Sequence, residues 1–73
     1  MAEEFTIIFE PAEEGGYTSY IPEVPGAISE GETIEEAREM VMDALHEILA
    51  YRREEAMKAK SAKAQVETLR LSA

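Results

Sequence analysis

Gly15-Gly16-Tyr17-Thr18-Ser19-Tyr20-Ile21-Pro22-Glu23-Val24-Pro25-Gly26-Ala27-Ile28-Ser29-Glu30-Gly31-Glu32-Thr33-Ile34-Glu35-Glu36-Ala37 is a run of structural starts and stops whose order decides the topology. The glycine pair supplies positive φ for a turn, and the Tyr/Thr/Ser run after it has strand preference. Pro22 and Pro25 cannot donate to a ladder and end that strand, and Pro25-Gly26 is a turn. Ala27-Ile28-Ser29 is long enough for a brief third strand before Gly31 breaks it. Thr33-Ile34-Glu35-Glu36 is a capping box. The Thr33 hydroxyl accepts from the amide of residue 36, and Glu36 reaches back to the amide of residue 33. Glutamates in this first turn suit the positive end of the helix dipole.

Upstream of the glycine pair, Phe5-Thr6-Ile7-Ile8-Phe9-Glu10 reads as a strand with Phe5, Ile7 and Phe9 on one face and Ile8 on the other. Pro11 to Gly16 is turn chemistry, so the first two strands form a hairpin. Downstream of Thr33, apolar residues at 34, 37, 40, 41, 44, 45, 48 and 49 form one helical stripe. The helix is expected from Thr33 to at least Tyr51, with continuation to about Lys60, and residues 54–63 are ambiguous. Gln65 to Leu71 reads as a final strand of imperfect alternation. The stripe is expected over Phe5, Ile7 and Phe9, with Val41, Leu45 and Ile48 at its centre. With a right-handed crossover, a last strand parallel to the first gives the order 3-2-1-4. One helix then covers one sheet face. Ile8 and one set of tyrosines lie on the other, a candidate assembly surface.

The 73 residues make a single domain, 1–73, with a thin core. There is no cysteine and only one histidine, which excludes disulfides and thiolate metal sites and argues against a histidine zinc site. Self-association, most simply as a homodimer, is the expected extra support. No apolar run reaches membrane-spanning length and no secretion signal opens the chain, which reads as cytoplasmic. The net charge is −9. Residues 1–50 hold thirteen carboxylates and one cation, Arg38, whereas residues 51–73 hold six cations and three carboxylates. An acidic body disfavours direct nucleic-acid binding and favours a basic partner.

Gly15-Gly16-Tyr17, Ile21-Pro22-Glu23-Val24-Pro25-Gly26, Ser29-Glu30-Gly31-Glu32-Thr33 and Glu35-Glu36-Ala37 resemble, in order and spacing, the signature of the HicB-like antitoxin domain. The resemblance covers roughly residues 4 to 50. Two positions depart from the usual pattern: Ala27 stands where the family often has Cys, and Glu32 where it has Asp. The resemblance implies an α+β, two-layer β-β-β-α-β fold similar to a partial ribonuclease H-like sheet, order 3-2-1-4. It also implies an antitoxin of a type II toxin–antitoxin pair. The implied partner is a HicA-like toxin, a small basic ribonuclease whose site the antitoxin occludes. The chain has no room after residue 71 for the DNA-binding domain of many family members, so promoter binding is not expected. The alternative is a solitary, self-associating HicB-like module with no toxin.

No catalytic constellation emerges. Ribonuclease H-like enzymes hold metal ions with clustered carboxylates, one of them in the middle of the first strand. Here that position is Thr6-Ile7-Ile8-Phe9, and Glu10 sits at the end beside Pro11. His46, near Asp43 and Glu47, lacks a positioned nucleophile and reads as a partly exposed helix residue. Gly15-Gly16 is followed by a strand, not by the helix of a phosphate loop. No catalytic, cofactor or metal residue is expected, and the chain reads as non-enzymatic. The expected partner contacts are Glu13, Glu14, Tyr20, Glu30 and Glu32. Gly15, Gly16, Tyr17, Pro22, Pro25, Gly26, Gly31, Thr33 and Glu36 are expected to carry the local structure.

Overall fold

The computed structural model describes residues 4–70. Strands β1 (Ile8–Pro11), β2 (Tyr17–Tyr20) and β3 (Ile28–Gly31) precede a single helix, α1 (Ile34–Ala59). The sheet is antiparallel with order β1-β2-β3. The hairpin turn closes through Ala12 N–H to Gly16 O, 3.0 Å, and Gly15 N–H to Ala12 O, 3.1 Å. Both glycines of the pair take positive φ, +104° at Gly15 and +75° at Gly16. At Gly16 the restriction is also steric, because a Cβ there would lie 2.7 Å from the Gly31 carbonyl oxygen.

The strand boundaries differ from the sequence expectation for identifiable reasons. β1 starts at Ile8 rather than Phe5. Its last partner on β2 is Tyr20, and the next amide, Ile21 N–H, turns to Ala27 O at 3.0 Å instead. Thr6 is held by a side chain, its amide and hydroxyl donating to the Glu23 carboxylate at 3.0 and 2.7 Å. Pro11 lies inside β1, where an edge strand tolerates the missing donor. β3 runs Ile28–Gly31 rather than Ala27–Ser29, so Gly31 closes the strand, opposite Tyr17.

The helix cap is half as expected. Thr33 Oγ1 accepts from Glu36 N–H at 3.1 Å, whereas Glu36 Oε1 accepts from the amide of Glu32, not Thr33, at 2.6 Å. Nothing interrupts the helix before Lys60, whose N–H bonds Ala56 O, so the ambiguous segment is helical to Ala59. Residues 64–70 form no strand. The expected fourth strand is therefore not in this sheet, and Leu71 lies outside the described residues. The order 3-2-1-4 reduces to 3-2-1.

Ala37 and Val41 are the buried helix residues, with Leu45 and Ile48 half-buried beside them. Val41, Leu45 and Ile48 pack on Ile21, Val24 and Ala27, all from the connection between β2 and β3, with Ile7 alongside. The core is thus centred further toward that loop than expected. Phe5 is 48% exposed, and Phe9 packs under Arg38, whose guanidinium lies 5.7 Å from the ring centroid. Ser19 is buried, and its hydroxyl donates to Ala37 O at 2.8 Å. Gly31 passes closer still: a Cβ there would meet Ala37 N at 2.5 Å and Ala37 Cα at 2.9 Å. Small residues at 19, 31 and 37 therefore set how near helix and sheet can come.

Candidate partner-binding surface

Ser19 points at the helix, so alternation assigns Phe9, Tyr17, Ser29 and Gly31 to the same face. The opposite face carries two cross-strand rows. Ile8, Tyr20 and Ile28 pair directly across the three strands, and Glu10, Thr18 and Glu30 form the next row. No element of the described chain covers this face, and Ile28 is 59% exposed. The open face is thus an apolar row beside a polar row with an acid at each edge.

A second feature lies at the hairpin end of the sheet. An open groove of about 460 Å³ is bounded by the β1–β2 turn, the end of β3 and the first turns of α1. Glu14, Glu30, Glu32 and Glu36 line it, together with Tyr17 and Met40. Its walls are tied together. Gly16 lies against Gly31, Gly31 against Ala37, and the Glu32 amide is held by Glu36. Among the described residues the one ion pair is Lys58–Glu55, at 3.6 Å on the distal helix. None of the four groove glutamates has an ion-pair partner among the described residues.

The structure places the five expected contact residues in two groups. Glu14, Glu30 and Glu32 converge on the groove. Glu13 is exposed in the same turn but does not line it. Tyr20 sits in the apolar row of the open face, away from the groove. Glu36 and Tyr17, read from the sequence as structural residues, also line the groove. Their helical and strand spacing relative to Glu32 and Gly16 was the available signal. Pro22, Pro25 and Gly26 build the loop at the other end of the sheet, where Arg52 Nη2 donates to Pro25 O at 2.8 Å.

The electrostatics outside the groove are local. The Thr6 hydroxyl, then its amide and the Glu23 amide itself, hold the exposed Glu23 carboxyl below the ordinary glutamate value of 4.5. His46 shares a shallow hollow with Glu39, Met42 and Asp43 on the solvent side of the helix, where no hydroxyl or thiol stands as a nucleophile. Among the described residues no three His, Asp or Glu side chains converge as metal ligands. Among them, too, no helix is long and apolar enough to cross a membrane.

Comparison with known proteins bears on what these surfaces serve. Residues 5–72 match the family described as HicB_like antitoxin of bacterial toxin-antitoxin system. Antitoxin HicB 1 of Photorhabdus laumondii is 49% identical over 41 residues, which are 56% of this chain and 26% of that protein. The chain therefore spans about a quarter of that relative. UPF0150 protein ssl0738 of Synechocystis sp. is 44% identical over 55 residues, 75% of this chain and 76% of its own length. No solved structure matches. The glycine-paired hairpin, the Pro-x-x-Pro-Gly loop and the capped helix thus occur within a match that runs through nearly the whole chain, and the protein belongs to the HicB-like antitoxin family of bacterial toxin–antitoxin systems.

Proposed function

We propose that this protein neutralises a basic, HicA-type mRNA-cleaving toxin by binding it, without catalysis of its own. The observation that carries the reading is the acidic groove. Four glutamates line one groove at this end of the sheet, and none of them is ion-paired among the described residues. Such a surface attracts a cationic partner, accelerates encounter and disfavours phosphate backbones. Glu13, Glu14, Glu30 and Glu32 form the electrostatic half of the contact. Tyr20, in the row with Ile8 and Ile28, offers the apolar half, since tyrosine serves interfaces with both ring area and a polar tip. The first strand has Ile8-Phe9 where a ribonuclease H-like nuclease needs a carboxylate, which supports a binding role for a ribonuclease H-like sheet.

The test is co-expression with the product of the neighbouring gene, expected to be a small basic protein, followed by co-purification and an RNA-cleavage assay. Growth rescue, a stable complex and suppressed cleavage are expected. Association should slow as salt rises, because screening removes the steering. Charge reversal at Glu14 and Glu32 should slow association and flatten that salt dependence. Absence of both rescue and complex would reject the reading. Metal-dependent RNA cleavage by the purified chain, lost on substituting a glutamate, would reject its non-catalytic part.

The open face supports a second reading, a self-associating module with no toxin. The Ile8–Tyr20–Ile28 row, with Ile28 exposed and Ile8 and Tyr20 half-buried, is a surface that a second copy can bury. A homodimer is compatible with the first reading and required by the second.

A further inference from the structure

We infer that residues 65–70 act in exchange, adding as a strand to the free edge of β1 in a second copy. The inference deepens the self-association just described and is independent of toxin binding.

The first observation is one of shape. The chain exposes 6227 Å², against roughly 4,500 Å² for a compact protein of its mass. Its radius of gyration is 15.6 Å, against about 11 Å for a compact domain of this length. The excess area, roughly 1,700 Å², is more than the ~800 Å² that each partner buries in an ordinary interface.

The second observation locates the excess. Arg52, bonded to Pro25 O, is the last helix residue with a hydrogen bond to the rest of the domain. α1 continues for seven residues to Ala59, about 10 Å past that point. Every described residue from Tyr51 onward is exposed, including Met57, Val66 and Leu69. The helix has no Gly or Pro at which to fold back. Its end is closed by Lys60 N–H to Ala56 O, and a turn follows, Ala64 N–H to Ser61 O at 3.2 Å. A continuous arm of this kind carries the tail away from its own sheet.

The third observation is complementarity. β1 is an edge strand, and an unpaired edge is a template for strand addition. It bears apolar residues on both faces, Ile8 on the open side and Phe9 on the helix side. In an extended tail, Val66 and Leu69 fall on opposite faces and meet both. The tail carries Lys60, Lys63 and Arg70 against Glu67, whereas Glu10, Glu13 and Glu14 lie along β1 and its turn. Opposite charge therefore favours the exchange, and it also keeps the acidic body from pairing edge to edge with itself.

The experiment uses the full chain. Light scattering should give twice 8.1 kDa. An equimolar mixture of 13C-labelled and unlabelled protein should show isotope-filtered NOEs from the Val66 and Leu69 methyls of one copy to Ile8 and Phe9 of the other. Val66→Asp and Leu69→Asp, both at exposed positions, should retain the helix signal in circular dichroism. Each should raise the dimer dissociation constant about tenfold or more. NOEs confined to one copy would overturn the exchange in favour of closure within the chain. A dimer indifferent to both substitutions would overturn it in favour of the open face. A monomer at millimolar concentration would overturn it together with the self-association reading, while leaving toxin binding to its own assay.

Discussion

Gly31→Ala tests the contact on which the whole helix–sheet geometry turns. The added Cβ would stand 2.5 Å from Ala37 N and 2.9 Å from both Ala37 Cα and Glu36 C. All three are backbone atoms, so no rotamer change relieves them. To reach ordinary contact, near 3.4 Å, the first turn of α1 must move by close to 1 Å relative to β3. That movement would disturb the Ser19–Ala37 bond and the capping box together. Overpacking of this kind costs about 1–3 kcal/mol, and sometimes more. A 73-residue chain has roughly 4–11 kcal/mol in total. For a domain of this size each kcal/mol lowers Tm by about 4–8 °C. A drop of ~4 °C at the least is expected in calorimetry, with a parallel fall of the urea midpoint at unchanged m-value. Gly15→Ala is the control. Gly15 has φ +104° but open space around its Cβ position, so its cost is the left-handed strain alone, ~1–2 kcal/mol. If Gly31→Ala left stability within ~0.5 kcal/mol of wild type, the range of ordinary surface changes, the close approach of β3 to α1 would be refuted.

Three further outcomes follow from named contacts. Thr33→Ala should cost about 1 kcal/mol by urea denaturation through the lost cap, and Thr33→Ser should restore most of it. Val41→Ala, at a fully buried position, should cost about 2 kcal/mol, and Leu45→Ala less than the ~2–5 kcal/mol of a fully buried leucine because Leu45 is only half-buried; equal costs at an exposed site such as Leu49 would show the stripe to be misplaced. Glu23 has a folded pKa below 4.5, so its bonds to Thr6 stabilise the fold above the unfolded pKa, and the contribution is lost as pH falls through the folded value. Glu23→Gln should therefore flatten the acid limb of the Tm–pH curve, and an unchanged limb would contradict the Thr6 contact.

The parts of the fold legible in the sequence were those that local chemistry dictates. Gly15-Gly16 required a turn, Pro22 and Pro25 stopped β2, and Thr33 started a helix whose stripe names Ala37 and Val41. What local chemistry does not decide was misplaced. Phe5 has strand preference, but β2 ends opposite Ile8, so there is no ladder for it to join. Val66 and Leu69 have strand composition, but the segment receives no pairing partner within the described chain. Ser19 reads as a strand-forming polar residue, yet it is buried, because the helix approaches too closely at that level for anything larger. For the surface, charge was legible and convergence was not. Thirteen acids are visible in residues 1–50, but only the fold selects Glu14, Glu30, Glu32 and Glu36 to line one groove and leaves Tyr20 outside it.

The residues that carry the family signature acquire a common physical role in this arrangement. Gly16 passes close to the Gly31 carbonyl, Gly31 passes close to the backbone of Ala37, and the Glu32 amide donates to the carboxylate of Glu36. The first of these joins the hairpin turn to the end of β3, and the other two join the end of β3 to the first turn of α1. The core cluster of Ile21, Val24, Ala27 and Val41 lies toward the opposite end, so it cannot by itself hold the hairpin turn against the helix start. Glycine at 16 and 31 allows backbone-to-backbone contact there instead, at separations no side chain permits. It follows that substitutions at Gly16 and Gly31 should weaken partner association even at temperatures where the variant remains folded. Substitutions in the Pro22–Gly26 loop should act on stability alone.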